Sequence, residues 1–96
     1  MTNTIHVDVV SIEKLIFSGN ADFLILPGEL GELGIYPLHA KLLTKIKPGK
    51  VRIKVAGKNQ EETFSISGGF LEVQPKSAIL LADTVSKISD VDEKNN

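Results

Sequence analysis

The chain has 96 residues, 42% of them hydrophobic and 24% charged, and eleven basic residues against twelve acidic leave a formal net charge of −1. Such a length and composition suit one small globular domain with a modest core, which excludes a disordered chain. The charge balance excludes an electrostatic footprint for nucleic acid or anionic lipid, and the lack of cysteine excludes disulfides, thiolate zinc sites and a cysteine nucleophile.

From the N-terminus, Met1-Thr2-Asn3-Thr4-Ile5-His6-Val7 has neither the basic start and apolar core of a secretory signal nor the arginine-rich character of a transit sequence. Ile5, Val7 and Val9 then alternate with His6 and Asp8, the pattern of a strand with one buried face. Ser18-Gly19-Asn20 reads as a turn, and the apolar run at 23–26 as a central strand or one whose outer face meets a partner. Residues 27–39 read as a tightly turned surface loop presenting carboxylates. Lys47-Pro48-Gly49-Lys50 reads as a hairpin connection, with proline and glycine suited to successive turn positions.

Val51, Ile53 and Val55 alternate with Arg52 and Lys54, and Thr63, Ser65 and Ser67 alternate with Phe64 and Ile66. Both are expected to be strands with one wet face. Gly57-Lys58-Asn59, Gly68-Gly69 and Gln74-Pro75-Lys76-Ser77 punctuate the chain, and the apolar runs at 70–71 and 79–82 suit further strands. Strands this short at this spacing predict an all-β fold, an antiparallel sandwich or barrel. The β domain is expected over residues 1–84 and a polar tail over 85–96. In that tail Ser89 and Asp92 have the spacing of a helix-starting capping box. The apolar runs are too short to cross a membrane, so membrane association is expected only through a protein partner.

Candidate chemistry is sparse. Glycines at 28, 31 and 34 do not have the spacing of a dinucleotide or phosphate loop, and Glu29 and Glu32 beside them would repel phosphate. Those two carboxylates are candidates for a cationic partner, against a plainer reading as solvated turn residues. His6 and His39 are not spaced as a metal pair. The chain has no nucleophile-elbow motif, and Ser67-Gly68-Gly69 is better explained by a bulge or a close backbone approach. The basic residues between Lys41 and Lys58 lack interleaved aromatics and read as a solvated face. No metal and no cofactor is expected.

Four stretches together resemble the epsilon subunits of F-type ATP synthases. They are Val7-Asp8-Val9-Val10-Ser11 with Phe17-Ser18-Gly19; Gly31-Glu32-Leu33-Gly34-Ile35-Tyr36-Pro37 with His39; Ile46-Lys47-Pro48-Gly49 with Val51-Arg52-Ile53; and residues 67–75 leading to Leu81-Ala82-Asp83-Thr84. The resemblance implies a flattened antiparallel β-sandwich that serves as a non-catalytic rotor subunit in the central stalk of a bacterial ATP synthase, linking gamma to the membrane c-ring in ion-coupled ATP synthesis. It implies a peripheral place on the cytoplasmic face of the inner membrane. By motif position, Glu32 and more weakly Glu29 are implied to face the c-ring, and His39, Leu42, Leu43 and Thr44 to lie near gamma. Two departures stand out. Family members often carry glycine and proline where this chain has Leu38 and Lys41. The family also commonly continues into a C-terminal helical hairpin, and some members bind ATP through an arginine where Asn95 stands here. Hairpin inhibition and ATP binding are therefore not expected. The rival readings are a free-standing β-sandwich protein-binding module and, more remotely, a small hydrolase using His39 and a serine.

Overall fold

Alternation carries into three dimensions most directly at residues 51–55, where Val51 and Ile53 are buried while Arg52 and Lys54 turn outward. In a computed structural model, residues 3–88 are described. They form nine strands: β1 (Ile5–Ser11), β2 (Leu15–Gly28), β3 (Gly31–Ile35), β4 (Leu42–Ile46), β5 (Gly49–Val55), β6 (Glu61–Ile66), β7 (Gly69–Gln74), β8 (Ser77–Ala82) and β9 (Val85–Ile88). No helix occurs among the described residues. The fold is all-β, as the pattern predicts, and a sandwich, as the resemblance implies.

Strand β2 is the seam between two layers. Its first half pairs with β1, from Ile5 opposite Ala21 to Val10 opposite Leu15. Its second half lies between β3 and β5, with Leu24 opposite both Ile35 and Ile53. One layer therefore runs β2–β1–β8–β7–β4, and the other β3–β2–β5–β6–β9. A register shift between Ala21 and Phe23 marks the changeover. The extra residue of a bulge bends a strand, which lets one chain segment serve both sheets. At this point Asp22 receives the Lys54 ammonium at 3.3 Å.

Seventeen apolar side chains fill the space between the layers, from Ile5, Val7 and Val9 to Leu71, Val73 and Leu80. Phe17 meets Phe64 across it edge-on at a centroid distance of 6.0 Å. No polar or charged residue is buried among the described residues, so the interior carries no desolvated group that would mark a reactive centre.

Several local expectations change. Ser18-Gly19-Asn20 lies inside β2 rather than at a turn; its polarity belongs to a wet outer face, not to a bend. Residues 27–39 are not one loop, because Gly31–Ile35 forms β3 and closes a hairpin on β2. Lys47-Pro48 joins β4 to β5, yet β4 pairs with β7 while β5 pairs with β2 and β6. That connection is a corner between sheets. One pairing is parallel, β1 with β8; the chain between them supplies the long crossover that parallel neighbours need. Val85–Ile88, expected in the polar tail, is an edge strand on β6. The capping-box residues Ser89 and Asp92, and Asn95, lie outside the described residues.

Candidate docking surfaces

The β2–β3 hairpin presents the candidate carboxylates. Gly28 and Gly31 pair, leaving Glu29 and Leu30 as a two-residue turn, and Gly31 takes a φ of 129° that L side chains rarely adopt. The base of the hairpin is braced by the β4–β5 corner, where the Lys47 N–H donates to the Pro27 carbonyl at 2.8 Å. Glu29 and Glu32 are both exposed, and neither joins an ion pair among the described residues. Between them Leu30 stands fully in solvent. Sequence reasoning missed it, although a lone leucine between two acids in a turn was there to be noticed.

The second surface is the outer face of the β1–β8–β7–β4 layer. Register places Lys45, Phe70, Leu81 and Val10 in one cross-strand row, and Leu43, Glu72, Ile79 and Asp8 in the next. Leu43, Phe70, Ile79 and Leu81 are exposed, which concentrates apolar side chains where water normally selects polar ones. A hollow of about 590 Å³ opens at one end, lined by Val10, Ile12, Lys45, Phe70, Leu81 and Asp83. A second of about 480 Å³ lies towards the β7–β8 turn, lined by Glu72, Gln74, Pro75, Lys76, Ser77 and Ile79. The continuous apolar runs at 70–71 and 79–82 were the sequence signal for this face.

The four residues implied near gamma divide between two faces. Leu43 is 73% exposed on the outer face. Leu42 and Thr44 have the opposite register, and Leu42 packs partly against the core. His39 sits in the connection before β4, where its Nδ1 donates to the Ala40 carbonyl at 2.7 Å. Beside it Leu38 adopts a φ of 66°, the left-handed region, at a cost of about 1–2 kcal/mol for a residue with a Cβ. Its N–H donates to the Pro75 carbonyl at 2.8 Å, which ties this connection to the β7–β8 turn. Glycine adopts that conformation freely, so a leucine here holds it under strain. Tyr36 is on the other layer, its ring 5.5 Å from that of Phe23.

A serine, a histidine and an aspartate do meet on the outer face of β1 and β2. The Ser18 hydroxyl donates to Asp8 Oδ1 at 2.6 Å, and His6 Nε2 lies 3.2 Å from both Asp8 Oδ1 and Ser18 Oγ. His6 Nδ1 faces Asn20 Oδ1 at 3.3 Å. A hydrolytic triad needs the carboxylate on one imidazole nitrogen and the hydroxyl on the other. Here both crowd the same nitrogen, and the serine proton is engaged by the carboxylate. His39, the residue that the hydrolase reading needs, takes no part. No group of three histidine, aspartate or glutamate side chains gathers as a metal site among the described residues. The basic residues are scattered as well, with Arg52 paired to Glu61 at 3.6 Å on one layer and Lys45 on the other.

Residues 4–88 match the family described as ATP synthase, Delta/Epsilon chain, beta-sandwich domain. The chain belongs to this family. It is 56% identical over 92 residues to the ATP synthase epsilon chain of Verminephrobacter eiseniae, covering 96% of this chain and 66% of that one. With the ATP synthase epsilon chain of Laribacter hongkongensis it shares 52% identity over 91 residues, covering 95% and 65% respectively. It thus spans just under two thirds of the length of these relatives. A chain in the cryo-EM structure of the Euglena gracilis mitochondrial ATP synthase, OSCP/F1/c-ring, superposes with a TM-score of 0.83 at 17% identity, over 96% of this chain and 58% of that one. At that identity the likeness speaks for the fold, and the delta/epsilon-type sandwich is the fold seen here.

Proposed function

We propose that the chain is a non-catalytic rotor component of a bacterial F-type ATP synthase. It joins a gamma-type subunit to the c-ring at the cytoplasmic face of the membrane, as a peripheral protein, and so serves ion-coupled ATP synthesis. The observation that carries this reading is the unpartnered apolar face formed by Phe70, Ile79, Leu81 and Leu43, on a sandwich whose core is already complete without it. Such a face suits burial against another protein, with Lys45 and Asp83 towards its rim and Glu72 as a charged position within it, between Leu43 and Ile79. We assign it to gamma, with Leu43 the one of the four residues implied near gamma that stands on it.

The acidic hairpin tip is a separate surface, and we assign it to the c-ring. Glu29 and Glu32 stand on a braced two-residue turn, suited to cationic or amide-bearing loops. Torque transmission needs an interface that resists slippage, and no step in it requires a nucleophile or a proton relay.

Purified gamma and detergent-solubilised c-ring provide the test. Glu32→Lys is expected to weaken c-ring association about tenfold, as expected for reversing a contact charge, while gamma binding and thermal stability stay unchanged. Equal c-ring association by both forms would remove the tip from the contact. A chain that binds neither protein would instead support a free-standing module.

A further inference from the structure

Leu38 is a large apolar residue outside the core cluster. It is 60% exposed, and it holds the left-handed φ of 66° that disfavours every residue with a branched or bulky side chain. Its backbone N–H donates to the Pro75 carbonyl, a bond that any residue except proline supplies. Glycine would relieve the backbone and asparagine would tolerate it, each leaving that hydrogen bond in place. A strained position that exposes a large apolar side chain calls for a function outside the fold.

The surroundings indicate which one. Pro75, the hydrogen-bond partner, lines the same hollow as Glu72 and Ile79. Glu72 stands directly opposite both Leu43 and Ile79 in the sheet. His39 follows Leu38 in the chain. The Pro75 bond thus brings the β3–β4 connection that carries Leu38 to the β7–β8 turn, at the end of the apolar outer face. From this we infer that Leu38 is an anchor of the gamma contact, filling an apolar socket on the gamma-type subunit while the Pro75 carbonyl holds its loop in place. This rests on the proposed assignment of the outer face to gamma. The strain is tolerated because a backbone fixed in advance presents the leucine without an ordering loss on binding.

The test compares Leu38→Gly, Leu38→Asn and Leu38→Met for urea denaturation and for binding to purified gamma. Glycine is expected to unfold at an equal or higher urea concentration than the unsubstituted chain, yet to bind gamma about tenfold more weakly. Asparagine should fold normally and also lose binding, whereas methionine should restore it. Unchanged gamma binding by the glycine and asparagine forms would overturn the role of Leu38 and leave the gamma assignment standing. An unsubstituted chain that failed to bind gamma at all would overturn both.

Discussion

Gly69 is the position where a single methyl group would do most harm. A Cβ built there would lie 2.0 Å from the Leu81 carbonyl oxygen and 2.9 Å from the Ala82 Cα. Both are backbone atoms of the neighbouring strand, so no rotamer change relieves the clash. Gly69→Ala is expected to destabilise the chain by at least about 3 kcal/mol, the upper part of the range for overpacking. The midpoint of urea denaturation reads it. Gly57 makes the contrast: its φ is 74°, but nothing lies within 4 Å of the point where a Cβ would stand. Gly57→Ala should therefore show only conformational strain, about 1–2 kcal/mol. At this scale the sequence was partly legible. Ser67-Gly68-Gly69 signalled a close backbone approach, since glycine between strands has few other uses. The strain at Leu38 is not legible in the leucine itself; only the glycine that the resemblance sets against it pointed there.

Strand β9 shows how an element can escape notice. Val85, Ser86, Lys87 and Ile88 have too few apolar positions for a clear period-two signal, yet they pair with β6 from Ile66 opposite Val85 to Thr63 opposite Ile88. Val85 packs against the core, and Lys87 reaches Glu62 at 2.8 Å. Comparing chains ending at Ile88 and at Thr84 isolates the strand. The shorter one is expected to be less stable by about 1–3 kcal/mol, from a lost partly buried side chain and an uncovered ladder. Equal melting temperatures would show that β9 is dispensable. Alternation made β1, β5 and β6 legible, because one face of each meets water. It failed for β2, whose two halves serve different sheets, so that a wet stretch at Ser18 and Asn20 imitates a turn. The same limit applied at Lys47-Pro48: turn chemistry reports a reversal but does not say whether the flanking strands pair.

For the whole molecule, the decisive property is that two adjacent sets of side chains on the same strands have opposite duties. Leu71, Val73 and Leu80 point inward and are buried, while Phe70, Ile79 and Leu81 point outward and are not. Composition could not separate them, since both sets are apolar; register does, and only the paired strands define register. This division gives a test that keeps folding and docking apart. Leu71→Glu would place a carboxylate among Thr44, Leu80 and the core, where an unpaired charge is strongly disfavoured, and the chain is expected not to fold. Phe70→Glu moves the same charge by one residue onto the outer face beside Lys45 and Leu81. It should cost no more than about 1 kcal/mol in stability, the scale of a surface change that loses some packing. Binding to purified gamma, measured by titration calorimetry, should fall about 100-fold or more, as for an aromatic anchor lost from the centre of an interface. If Phe70→Glu folds normally and binds gamma as well as the unsubstituted chain, the apolar face is not the gamma contact, and its exposure needs another partner.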